Sequence, residues 1–178
     1  MGVFLGQITK EEFDMSMGNV YPVVGSVVRV SLAGAFSHTG IYVGENRIVE
    51  ITEVKGKALV QLVTPKQFLK GNGDDLSPRT GRHIKVASAK CAKYDYLYAL
   101  GSQDIADRAL EAVGSSRGEY YVLCNNCHQF TRYCITGIDD ETSTPWTVSD
   151  IDKALQKKFG VCDVYWRGVG NAFPDCES

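Results

Sequence analysis

Apolar and polar positions change period along this chain, and the changes mark out its elements. Residues 26–32 read as a strand with imperfect alternation, opened by the turn at Tyr21-Pro22-Val23-Val24-Gly25 and broken by Gly34 and Ala35. Two β-rich runs, 39–43 and 48–52, flank the turn-forming Gly44-Glu45-Asn46, and a further strand is expected over 58–63. Thr64-Pro65-Lys66-Gln67 is a capping box with proline at the first helical position, so a short helix should follow and stop at Gly71. After a polar loop over 71–81 and a short strand over 82–87, the period lengthens. Ile105, Ala106, Ala109 and Val113 form the apolar stripe of a helix over 103–113, capped by Ser102 and ended by Gly114. Phe130, Tyr133, Cys134 and Ile135 line a helix that starts at Cys127 and stops at Gly137. Ile151, Leu155 and Phe159 line another over 150–159, capped by Ser149 and closed by Gly160. A last strand is expected over 161–166. Residues 1–19 read as an arm or a short helix near 11–15, 139–144 as a surface connection and 168–178 as a loose tail. No internal repeat or low-complexity tract is visible. The pattern predicts one α+β domain spanning residues 1–178, with an antiparallel β-sheet packed against helices.

The register of the hairpin between 39 and 52 follows from its side chains. A three-residue loop at Gly44-Glu45-Asn46, with Asn46 left-handed, pairs Val43 with Arg47 and Ile41 with Val49. Ile41, Val43, Val49 and Ile51 then share one face, and His38, Gly40, Tyr42 and Glu50 share the other. A two-residue loop would set Ile41 opposite Glu50 and mix apolar and charged groups on one surface. The three-residue loop makes His38 and Glu50 diagonal neighbours. On its own, each is an ordinary strand residue; together they are a base and a carboxylate on one surface.

Cys127 is the other residue that needs explaining. Asn126 is placed to cap a helix and Gln129 to return the bond, which sets the thiol in the first helical turn. Unpaired N–H groups and the helix dipole stabilise an anion there and lower a thiol pKa from its usual value of about 8.5. The plain alternative is a small buried hydrophobe. Cys124-Asn125-Asn126-Cys127-His128 also spells the haem-attachment pattern C-x-x-C-H, and C-x-x-C alone reads as a redox dithiol or half a zinc site. Haem attachment goes with export, for which no signal is seen. A redox pair puts its first cysteine at the helix start, and zinc needs two more ligands, for which only His38 and His83 remain as histidines. His83 has no identifiable partner and is left out of the site. Tyr94, Tyr96 and Tyr98, near Cys91, are expected to pack into the core, with aromatic contacts to a ligand as the alternative.

Composition narrows the function classes. The chain has 178 residues, 44% of them hydrophobic, enough to fold unaided. Its formal charge of -2, from 19 basic and 21 acidic residues, gives no electrostatic case for nucleic acid or an anionic membrane surface. No apolar run approaches the roughly 20 residues of a membrane-spanning helix, and no signal peptide or myristoylation pattern is read at the start. Six cysteines without an export signal suggest reduced thiols in a cytoplasm.

Two boxes in a fixed order point further. Ser37-His38-Thr39-Gly40-Ile41-Tyr42-Val43-Gly44, followed by Arg47-Ile48-Val49-Glu50-Ile51, resembles the histidine box of lecithin:retinol acyltransferase-like proteins, which include the H-Ras-like-suppressor phospholipase/acyltransferases. The helix 108–114 and then Leu123-Cys124-Asn125-Asn126-Cys127-His128-Gln129-Phe130 is similar to their cysteine box, which typically reads Asn-Cys-Glu-His-Phe. The resemblance covers roughly 21–137, with the helix and strand of 149–166 as an extension. It implies a circularly permuted papain-like fold shared with NlpC-type peptidases, with Cys127 as nucleophile and His38 as its base. Glu50 stands where these acyltransferases usually have a second histidine, and a carboxylate can orient His38 and stabilise its imidazolium. His128-Gln129 replaces their Glu-His pair. The implied activity is a cysteine-dependent acyl hydrolase or acyltransferase that works through a thioacyl-enzyme on an ester, thioester or lipid acyl substrate. It needs no cofactor or metal, and its partner is an acyl-lipid or other acyl donor met in transient membrane contact. An NlpC-type peptidase or amidase, and a non-catalytic binding module of the same fold, are the alternatives.

Overall fold

The computed structural model describes residues 18–32, 37–71, 83–93, 96–119, 127–139, 147–170 and 173. Its centre is one eight-stranded sheet. The strands are β1 (Ser26–Ser31), β2 (Ser37–Gly44), β3 (Arg47–Val54), β4 (Lys57–Val63), β5 (Lys85–Lys90), β6 (Leu97–Ala99), β7 (Ser116–Glu119) and β8 (Tyr165–Gly168). They lie in the order β6-β5-β1-β2-β3-β4-β7, with β8 paired to β5 off that path. Every pairing is antiparallel. Four helices complete the described chain: α1 (Pro65–Lys70), α2 (Gln103–Glu111), α3 (Cys127–Thr136) and α4 (Val148–Phe159). This is the mixed α+β architecture that the pattern of the sequence predicts.

Both faces of the sheet are covered. On one, Val27, Ile41, Val49, Ile51 and Val60 pack with Ile105 of α2, Phe130 of α3, and Ile151 and Leu155 of α4. On the other, Val28, Val30, Ile48 and Val86 meet Phe68 of α1 together with Val169 and Phe173. A strand with two apolar neighbours has no polar side, which is why β1 shows no clean alternation. α3 is tied to α2 by Arg108, whose Nε donates to the carbonyl of Cys134 at 2.7 Å and so satisfies a carbonyl in the last turns of α3. Arg117 of β7 stacks 4.7 Å from the centre of the Tyr133 ring and pairs with Asp139 at 2.8 Å, which holds the edge strand against α3.

Several boundaries differ from expectation, each for a local reason. The helix near 150 begins at Val148, because Thr147 and Asp150 bond reciprocally across the first turn (Thr147 N to Asp150 Oδ2, 2.9 Å) and outcompete Ser149 as cap. Ser102 flanks α2 as expected, but its hydroxyl bonds Asp104 at 2.6 Å and not a backbone N–H, and Val113 lies beyond the helix and is exposed. The fifth strand runs over Lys85–Lys90, where its ladder with β8 begins at the pair of Lys85 with Gly168. The last strand correspondingly runs over Tyr165–Gly168. β7 is too short and polar to be seen in the pattern. The expected loose tail contributes Val169 and Phe173 to the core. Tyr96 and Tyr98 are exposed and line an open cavity of about 710 Å³ with Tyr165, Cys91 and Cys162, so they do not pack into the core. The expected N-terminal arm over 1–17, the bulk of the polar loop, the Asn126 cap and the connection beyond Asp139 lie outside the described residues.

Candidate active site

The β2–β3 hairpin keeps the register of its body while changing its loop. Ile41 pairs with Val49 and Gly40 with Glu50, but Gly44, not Val43, pairs with Arg47. The turn is thus the two residues Glu45 and Asn46, with φ of 48° and 57°, and Val43 is taken up in a bulge. Two left-handed residues match the twist of a tight hairpin, and the bulge supplies the one-residue offset that keeps Ile41 away from Glu50. An offset hairpin therefore gives the same result as the expected three-residue loop: His38 and Glu50 share a face.

That face is closed to water. His38 Nε2 lies 2.6 Å from Glu50 Oε2, with His38 exposed by 4% and Glu50 by 0%. The Phe68 ring stands 5.4 Å from the His38 ring, and it can do so because Gly40 has no side chain: a Cβ there would lie 2.9 Å from Phe68 Cε2 and 2.9 Å from the carbonyl of Val49. The capping box of α1 fixes Phe68 in turn, since Thr64 and Gln67 bond each other across its first turn (Thr64 N to Gln67 Oε1, 2.8 Å). In such surroundings the His38–Glu50 interaction loses little to solvent screening.

Cys127 is the first residue of α3 and is buried. Its Sγ lies 3.9 Å from the carbonyl oxygen of Ser37, at the start of β2. One turn further along α3, Thr131 Oγ1 meets Thr39 Oγ1 at 2.8 Å, and both residues are fully buried. His128 is also buried, with its Nε2 3.4 Å from Ser37 Oγ. The thiol pKa is set by opposing effects. Burial pushes it up, but the charges of His128 and His38, a hydrogen bond with the His38 side chain and one from the Thr39 backbone outweigh burial and bring it down to about 6. Cys134, two turns along the same helix, shows what burial does without such company: its thiol is pushed up to about 12.

The remaining sequence candidates fall away from this cluster. His83 is exposed. Cys124 lies outside the described residues, so the C-x-x-C-H spelling has no geometry to set against it. Among the described residues no group of three or more His, Cys, Asp or Glu side chains is placed to hold a metal ion. Sequence reasoning left Ser37, Thr39, Thr131 and His128 without roles. The spacing of Thr131, four residues after Cys127 on one helical face, was the available signal for one of them. Among the described residues no helix is long and apolar enough to cross a membrane. No curated protein matches this chain. The model of the family described as lecithin retinol acyltransferase matches residues 20–140.

Proposed function

The chain belongs to the lecithin retinol acyltransferase family, and from that premise we propose that it is a thiol-dependent acyl hydrolase or acyltransferase with Cys127 as nucleophile, His38 as base and Glu50 as the group that orients the base. The observation that carries this reading is the buried His38–Glu50 contact of 2.6 Å. A carboxylate only accepts, so His38 Nε2 carries the hydrogen of that bond and the lone pair of the neutral ring is on Nδ1, the atom that can take a thiol proton. Cys127 Sγ attacks the acyl carbonyl and a carbon–sulfur bond forms. The proton held by His38 goes to the departing alcohol or thiol as the carbonyl re-forms, which leaves a thioacyl-enzyme. Water or a second alcohol or amine then gives its proton to His38, attacks the thioester and releases the acyl group. Glu50 stabilises the imidazolium present at each proton transfer. Backbone N–H groups at the start of α3 are the natural donors to the oxyanion.

The order of histidine before cysteine is that of the permuted papain-like arrangement, and family membership favours an acyl-lipid as donor. Four described cysteines, Cys91, Cys127, Cys134 and Cys162, are free thiols, in keeping with work in a reducing cytoplasm. The test is intact mass of the wild type and Cys127→Ala after brief incubation with short-chain phosphatidylcholine, an acyl-CoA and a peptidoglycan stem peptide in parallel. A fatty-acyl increment on the wild type alone, mapped to Cys127, is the expected result. Peptide cleavage without any acyl adduct or released fatty acid would move the reading to a peptidase of the same fold.

A further inference from the structure

We propose that Thr39 and Thr131 form a positioning pair, a buried hydroxyl latch that sets the nucleophile helix against the strand bearing the base; this rests on the reading of Cys127 as nucleophile. The geometry is specific. Side chains alternate along β2, so Thr39 points to the helix-side face while its neighbour His38 points to the opposite one. Thr131 lies four residues after Cys127, directly along the same face of α3. Their hydroxyl oxygens are 2.8 Å apart and neither residue is exposed to solvent. They stand among apolar residues of the helix-side core, where Val27, Ile41, Phe130 and Ile135 are buried. Hydrophobic residues of the same shape would fill that space, so two hydroxyls there serve register, since a hydrogen bond has a fixed length and a methyl contact does not.

The same strand also reaches the sulfur. Cys127 Sγ lies 3.9 Å from the carbonyl of Ser37, two residues before Thr39. The start of β2 therefore meets α3 twice, at the helix's first residue through the Ser37 carbonyl and one turn later through the Thr39 hydroxyl. Two contacts about one helical turn apart, roughly 5.4 Å, fix both the height and the tilt of a helix against a strand, whereas one contact leaves it free to pivot. His38, the next residue, is held from its other side by Glu50. A shift of the helix by a fraction of an ångström would move the thiol relative to the imidazole while leaving the fold intact.

Removing one hydroxyl leaves the other buried and unsatisfied, so single valine variants confound positioning with stability. The informative variant is Thr39→Val with Thr131→Val, which removes both partners in nearly the same volume. It should melt close to the wild type. Its Cys127 should alkylate with iodoacetamide along a pH curve displaced upward by about one unit, a roughly fivefold slower rate at pH 6. Thr131→Ser, which keeps the hydroxyl, should retain the wild-type curve. A double-valine protein with the wild-type curve overturns the latch, as does a wild-type Cys127 that titrates like an ordinary thiol. A displaced curve in a protein that accepts no acyl group from any donor supports the latch and counts only against the proposed function.

Discussion

Cys127 and Cys134 sit two turns apart on one helix, both buried, yet the first thiol is held down at about 6 and the second pushed up to about 12. Burial acts in the same direction on both, because an apolar surrounding disfavours the thiolate. The difference is what else the fold brings within reach. Cys134 has core side chains around it, and the charges of Arg117 and Arg108 lower its pKa by less than burial raises it. At Cys127 the helix begins, the start of β2 brings the Ser37 carbonyl within 3.9 Å of the sulfur, and the charges of His128 and His38 draw the thiol pKa down. A lowered thiol pKa on this helix belongs to the end that meets a strand, and being a cysteine inside the protein does not confer it.

The comparison can be broken most directly by exchanging which thiol is present. Cys127→Ala should lose all acyl-enzyme formation in the intact-mass experiment. Cys134→Ala should keep it while lowering stability in urea by about 1–3 kcal/mol through the space left in the core. An acyl adduct on Cys134, or one that survives in Cys127→Ala, would reverse the assignment. The next largest effect is expected at the carboxylate. Glu50→Gln should lower kcat by about 10²–10⁴ with KM nearly unchanged, because the amide cannot stabilise the imidazolium that exists only during reaction. Glu50→His should keep part of the activity. Equal losses in kcat and in substrate affinity would make Glu50 a structural residue.

Stability against pH sharpens the contrast, since the two thiols contribute with opposite sign. The folded pKa of Cys127 lies below its unfolded value, so its contribution is fully present above pH of about 9 and is lost as pH falls through about 6. The folded pKa of Cys134 lies above its unfolded value, so its contribution is present below about 9 and is lost as pH rises towards 12. Each changes stability by at most about 1.4 kcal/mol per pH unit within its window. Urea titrations should therefore show the gap between wild type and Cys127→Ala opening from pH 6.5 to 8.5, and the gap to Cys134→Ala narrowing from pH 9.5 upward. Parallel curves in the first window would mean that Cys127 is no better ionised than a free thiol. The smallest effect is expected at His128, whose charge is the largest influence lowering the Cys127 pKa. His128→Gln should raise the midpoint of Cys127 alkylation and slow it by roughly three- to tenfold at pH 6. An unchanged midpoint would leave His38 as the only imidazole that matters to the thiol.

Local rules made much of the fold legible. Thr64-Pro65-Lys66-Gln67 specifies the start of α1 within four residues, and Gly71, Gly137 and Gly160, all with positive φ, end three helices where the sequence places them. The hairpin is instructive because its outcome was legible and its route was not. The need to keep Ile41 and Glu50 on different faces determines the register, but either a longer loop or a bulge satisfies that need, and the choice depends on backbone twist. Boundaries failed where two local signals competed, as with Thr147 and Ser149, or where pairing was long-range and weakly patterned, as with β7 and β8.

For the candidate site the division is similar. The sequence by itself determined that His38 and Glu50 share a surface and that Cys127 opens a helix, because strand alternation and helix boundaries are properties of neighbouring residues. Only the tertiary structure decided that the helix start rests on Ser37, that His128 reaches the Ser37 hydroxyl, and that Phe68 closes over Gly40 against the His38 ring. Those contacts join residues 28 to 91 positions apart, and no period of the chain encodes them. They follow from burying both faces of the sheet at once, which requires α3 on one side of β2 and α1 on the other.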